Sequence, residues 1–327
     1  MGRIAASWHI FKFSFDFVKS EKKLFIYPVI TFIIQLILMM LTLGVIALIT
    51  YNTYENLGGA SGIASDIANT NNAMVSNANQ IANAYSEKII PSLFTTENNV
   101  LIFIVLILLF LMLLVGNLFS VAVINSVLQK IETKKINVGL AIRNTLNNIF
   151  YIAGWTIFNF IIGSIINYIV RALERIPLLS FIVGMVLDAA WVTFTFFALP
   201  ILSVKKYGPI KTLKLSSSLI KKKFGVNVIS LGGLGIINLI WFLSVIGLGF
   251  LLFKDTDNFS LNSFITQLNL AIFFVYFIFS LCFLILFSLV YRATLFLYCA
   301  KDVLPEGINK EEINGVISYR KRRAGLN

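Results

Sequence analysis

Six long apolar runs, separated by shorter polar or charged stretches, organise this chain: about 24–50, 100–128, 149–170, 177–204, 225–253 and 265–300. Each is long enough for a helix to cross a hydrocarbon core of ~30 Å, which takes about 20 residues. The runs are continuous rather than alternating, which predicts helices and not the short strands of a membrane barrel. The expected fold is an all-α, polytopic transmembrane helical bundle. The third and fourth runs are joined by a tight turn holding Arg171, Glu174 and Arg175, so they must form an antiparallel hairpin. Pro177 suits the first turn of the fourth, where its missing N–H costs nothing.

Between the runs, apolar residues recur at three- and four-residue steps. Ile4, Trp8, Phe11, Phe15 and Val18 lie opposite Lys12, Asp16 and Lys19. Val138, Ile142 and Leu146 form a second such face, and Ile210, Leu213, Ser217 and Ile220 a third. These patterns predict amphipathic interfacial helices near 4–19, 138–148 and 209–222. Phe13 and Phe17 widen the first face enough to pack it against neighbouring spans instead. The expected architecture is three helical hairpins, each preceded by a cytoplasmic interfacial helix, as parallel repeats.

The remaining segments are polar. Ile67, Met74 and Ile81 repeat every seven residues in the outer loop 51–99, which predicts a partly ordered helix. Residues 1–304 form the membrane domain and 305–327 a basic cytoplasmic tail. The first run is too long for a signal-peptide core and lacks a small-x-small cleavage site after it, so an uncleaved signal anchor is expected.

Charge orients the bundle. Of 27 Lys and Arg residues, all but Lys88, Arg171, Arg175 and Lys254 lie on one side of the runs, counting Arg292 at that end of the last run, and this side carries net +16 against −3 opposite. Basic loops stay in the cytoplasm, which predicts N- and C-termini inside and a cell (inner or plasma) membrane location. The same rule explains a net charge of +12 without nucleic acid as partner. With 58 % apolar residues, well above the ~45–50 % of a soluble domain, no soluble class fits. Cys282 and Cys299 both lie in the last run and indicate no disulfide framework. Acylation of Cys299 competes with its reading as a small buried thiol.

Several local motifs carry a family resemblance. Ser7-Trp8 precedes a basic segment and Pro28; the run Trp191 to Pro200 precedes Tyr207-Gly208-Pro209, serines at 216–218 and Lys223-Phe224-Gly225. Together they resemble an uncharacterised family of prokaryotic six-span membrane proteins known as a domain of unknown function. That family is itself similar to the membrane portion fused to some glycerophosphodiester phosphodiesterases. Its members often carry an acid before the Gly-Pro and a Trp before the later Gly, where this chain has Lys205, Lys206 and Phe224. The resemblance implies a fold; with no phosphodiesterase domain present, it implies no such activity.

Candidate chemistry is sparse. Asp188, about 11 residues into the fourth run, is the only acid near mid-membrane. An ionised carboxylate there costs at least ~2.5–3.5 kcal/mol unless paired, hydrated or protonated. Asn159 and Asn167 on the third run are its candidate partners in an intramembrane polar site. Against that stands a neutral Asp that fixes helix packing. Asn117, Ser120 and Asn125, and Asn227, Ser230, Asn238 and Ser244, either line a polar path or bond across helices. Arg292, near the cytoplasmic end of the last run, is expected to snorkel to the interface.

The basic stretch Lys205, Lys206, Lys211, Lys214, Lys221, Lys222 and Lys223 contains no acid and is the candidate contact for anionic lipid headgroups. His9 is the only histidine and has no Cys or acid at ligand spacing, so neither a metal nor another cofactor is implied. No nucleophile elbow, phosphate loop or dinucleotide fingerprint appears, and no catalytic residue is assigned. Two functions remain. One is a non-enzymatic protein that organises anionic lipid, a partner protein or further copies of itself through its basic face. The other is a transporter or channel for a small solute or ion that uses Asp188.

Overall fold

A computed structural model describes the backbone of residues 3–56, 95–222, 224–253 and 264–301. Side chains are described for these residues except 3–9, 96, 222, 224–233 and 301. The expected loop helix near Ile67–Ile81, Lys223, and the tail from 305 lie outside the described residues. Every element within them is helical, and no strand occurs among them. The helices are α1 (Arg3–Ser20), α2 (Ile26–Asn56, after a 3-10 turn at Lys22–Phe25), α3 (Thr96–Thr133), α4 (Val138–Leu146), α5 (Ile149–Ala172), α6 (Pro177–Thr195), α7 (Ala198–Val204), α8 (Pro209–Lys222), α9 (Phe224–Phe253) and α10 (Phe264–Lys301). Six of these stretches are long and apolar enough to cross a membrane, and they coincide with the six apolar runs. The protein is membrane-embedded.

Local chemistry sets several helix limits. Pro177 and Pro209 open α6 and α8, where a missing N–H is harmless. Asn137 caps α4: its Oδ1 accepts from the Leu140 N–H at 3.1 Å. Lys134, with φ 60°, turns the chain out of α3 in the left-handed region.

The fourth apolar run is not one helix. It breaks at Phe196–Phe197, between α6 and α7. Pro200 is the reason: it has no N–H for the Phe196 carbonyl four residues back, and its ring crowds that oxygen. The Phe197 N–H, released from the helical pattern, donates to Ser216 Oγ on α8 at 3.2 Å.

The chain divides into two compact units, Met1–Thr31 with Gly116–Asn327, and Phe32–Val115. In the smaller unit, Gln35 Nε2 donates to the Met112 carbonyl at 2.7 Å, and Asn52 and Thr53 meet Asn98 through side-chain hydrogen bonds. Low numbers meet high ones, so the two stretches run antiparallel.

In the larger unit, one core joins Ile10, Phe17 and Val18 of α1, Val123–Leu128 of α3, Phe196, Phe197 and Ile201 around the break, Ile220 of α8, and Leu286–Cys299 of α10. Helix α1 packs against α9 and α10. Phe11 meets Phe287 edge-on at 5.2 Å, and Phe15 meets Phe283 at 5.4 Å. Contact with the spans, the alternative its wide apolar face permitted, is what this helix makes. Tyr27 and Ser126 share a buried hydrogen bond of 2.5 Å, and Lys130 Nζ pairs with Glu21 Oε1 at 2.6 Å.

Candidate functional site

Two regions gather the candidate chemistry, the basic stretch around α8 and a groove along α5 and α6. In α8 the buried positions are Thr212, Ser216, Leu219 and Ile220. This face is rotated from the expected one: Ile210 is 64 % exposed, and Leu213 and Ser217 lie at its edge. The reason is the break before it, because Ser216 is drawn inward to satisfy the Phe197 N–H. Lys205, Lys206, Lys211, Lys214 and Lys221 are all exposed, and none of them makes an ion pair among the described residues. Lys211 Nζ stands 4.3 Å over the Tyr207 ring. The side chains of Lys222 and Lys223 lie outside the described set.

The groove has a volume of about 520 Å³ and is open along one side. Small residues create it. Ser180 Oγ donates to the Val170 carbonyl at 3.0 Å, drawing α6 against the end of α5. One turn on, a Cβ added at Gly184 would stand 3.3 Å from Val170 Cγ2, tighter than ordinary contact, so glycine permits the approach. Asp188 follows at the same four-residue step, on the same face. Pro177, Phe181, Met185 and Val170 wall the groove, and Glu174 and Asp188 supply its carboxylates.

Asp188 is exposed and makes no side-chain hydrogen bond or ion pair among the described residues. Its candidate partners do not line the groove with it. Asn159 Oδ1 instead accepts from Trp191 Nε1 at 3.0 Å, beside the ring contact of Trp191 with Phe158 at 6.1 Å. Asn167 is exposed, and its side chain bonds to nothing among the described residues. Glu174 is the groove residue that sequence reasoning missed, because it looked like part of a hydrated turn. It lies in the turn before Pro177, outside α6, so helical periodicity gave no signal for it.

Other polar residues bond across helices. Asn117 donates to Thr156 Oγ1 and Asn125 to Thr145 Oγ1, both at 2.9 Å, while Ser244 Oγ shares a 2.8 Å bond with Tyr276. Asn227 and Ser230 fall among the undescribed side chains. Arg292 does not simply reach outward: its Cζ stands 5.2 Å from the Phe196 ring centre, and its Nε is buried without a hydrogen-bond partner among the described residues. Cys299 is fully buried, which closes it to an acyl chain. No group of three His, Cys, Asp or Glu residues able to hold a metal ion occurs among the described residues.

Residues 97–304 match the model of a family of unknown function, DUF6159. The matched stretch contains the Trp191–Pro200 run, the Gly-Pro turn and the serines at 216–218, and begins after Ser7-Trp8 and Pro28. No curated protein and no solved structure matches the chain.

Proposed function

We propose, for a chain that belongs to the DUF6159 family, a non-enzymatic role in organising anionic lipid through the basic surface around α8. One observation carries this reading. Lys211, Lys214 and Lys221 on α8, with Lys205 and Lys206 just before it, are exposed and make no ion pair among the described residues, while the opposite face of α8 is buried at Ser216, Leu219 and Ile220. A helix fixed on one side and cationic on the other offers a charged surface whose position does not depend on lipid. Each such charge near an anionic leaflet contributes about 1 kcal/mol, so several together give a preference well above thermal energy.

The topology belongs to the same proposal. The six spans pair as three hairpins, the first preceded by the span-packed helix α1 and the others by interfacial helices near 138–148 and 209–222, with both termini in the cytoplasm of a cell-membrane protein. The surrounding family resemblance, including that to the membrane portions fused to glycerophosphodiester phosphodiesterases, fits a lipid-facing role and carries no catalytic residue here.

The test compares spin-labelled phosphatidylglycerol and phosphatidylcholine around the protein in nanodiscs. The wild type should prefer the anionic lipid, with a preference that falls at high salt. Replacing Lys205, Lys206, Lys211, Lys214 and Lys221 with Gln should remove most of it. An unchanged preference in that variant sinks the reading. The same loss of charge with no lipid preference in either protein would redirect the surface to an acidic protein partner. The transport alternative makes the opposite demand: Asp188→Asn would abolish a flux and leave lipid preference alone.

A further inference from the structure

We infer that the groove between α5 and α6 is a binding site for a lipophilic organic cation, an apolar body carrying an ammonium, phosphonium or guanidinium group. The site is independent of the lipid reading and does not require that anything be carried across the membrane. Its volume of about 520 Å³ lies within the ~300–1,000 Å³ of small-molecule sites. Its walls, Val170, Pro177, Phe181 and Met185, are apolar, and its two charged groups are both carboxylates.

Depth distinguishes the two acids. Asp188 lies 11 residues beyond Pro177, about 17 Å along the helix at 1.5 Å per residue, roughly half-way through the hydrocarbon. Glu174 precedes Pro177 and sits at the membrane surface, with Arg171 and Arg175 beside it in sequence. Those arginines compete for the Glu174 charge in water, whereas no cation of the groove competes for Asp188. A carboxylate at that depth, without a partner among the described residues, must be protonated, hydrated or matched by a ligand charge. Hydration fits poorly with apolar walls, and a sealed packing role fits poorly with an exposed side chain beside an open groove.

The open side decides how a ligand arrives. Phe181 and Met185 are 68 % and 57 % exposed at the groove's edge, facing what would be acyl chains. A lipophilic cation already dissolved in the bilayer can slide in laterally, keep its apolar body covered, and gain a counter-ion. A hydrophilic cation lacks that route. The order of importance follows: Asp188 holds the charge, the apolar walls hold the body, and Glu174 makes a smaller contribution at the mouth.

The experiment is equilibrium binding of radiolabelled tetraphenylphosphonium to the purified protein in phosphatidylcholine nanodiscs, with empty nanodiscs as background. The wild type should bind saturably. Asp188→Asn should weaken binding by about tenfold or more, the factor that ~1.4 kcal/mol carries. Asp188→Glu should retain most of the affinity, and Glu174→Gln should lose about two- to threefold, or under ~0.7 kcal/mol. Met185→Trp keeps both acids and fills the groove, so it should weaken binding comparably to Asp188→Asn. The lysine-to-glutamine variant around α8 should bind as the wild type does, which separates this site from the lipid reading. Absence of saturable binding, or wild-type affinity in either Asp188→Asn or Met185→Trp, overturns the proposal. Should Asp188→Asn lose its native elution profile, Met185→Trp and Asp188→Glu decide the matter.

Discussion

Along α10, the residues from Phe264 to Ile285 and those from Leu286 to Cys299 are both apolar, yet they meet different surroundings. In the first stretch Phe264, Val275 and Phe279 are 76 %, 69 % and 62 % exposed; in the second, nearly every residue is buried against α1, α7 and α8. Length explains why one helix does both. Its 38 residues extend about 57 Å, against a hydrocarbon core of ~30 Å, so a large part must be covered by something other than acyl chains. Helix α3, also 38 residues, behaves alike: Val100, Phe103 and Leu106 are exposed, whereas Val121–Leu128 is buried. Hydropathy marks where water is excluded. It does not distinguish lipid from protein as the excluding material.

That contrast can be broken first in α10 itself. Leu295, fully buried, should cost about 2–5 kcal/mol on replacement by Ala, through lost contacts and the cavity left behind. Val275→Ala, on the exposed stretch, should stay within ~0.5 kcal/mol. Thermal unfolding of both variants in one detergent gives the comparison, and equal losses would mean that the two stretches are not distinct environments.

The break in the fourth span offers a sharper, smaller effect. Ser216→Ala leaves the buried Phe197 N–H without its acceptor, a loss of about 1–3 kcal/mol. Hydrogen exchange at the Phe197 amide should rise in step, and unchanged protection would show that another group takes over.

Smallest should be Glu21→Gln, which removes the 2.6 Å pair with Lys130 at a partly exposed position. It should cost no more than ~1 kcal/mol, and the difference from wild type should shrink with added salt. A large, salt-insensitive loss would place that pair inside the packed region rather than at its rim.

How far the fold could be read in advance depended on the kind of signal. The six spans were legible because each is a long continuous run, and Pro177 and Pro209 marked helix starts for a reason local to the backbone. The α6–α7 break was equally local in cause, since Pro200 removes a donor, but a run of apolar residues concealed it. The face of α8 was misplaced because Ile210 competes with Thr212 and Ser216 for the inside, and the competition is settled by the Phe197 amide in the break between α6 and α7. Asp188 stood out by its depth. Its groove did not, since Gly184 and Ser180 make space only when Val170 is brought opposite them, and Glu174 joins only through the turn between the helices.

Sequence by itself determined that this protein is helical and lives in a membrane, because the cost of exposing backbone and apolar side chains is paid residue by residue within each run. It also determined where the lysines cluster. Only the tertiary structure decided which apolar surfaces meet protein, which way α8 turns its charges, and which side chains accompany Asp188. Those outcomes rest on contacts between residues far apart in the chain, and no local periodicity encodes them.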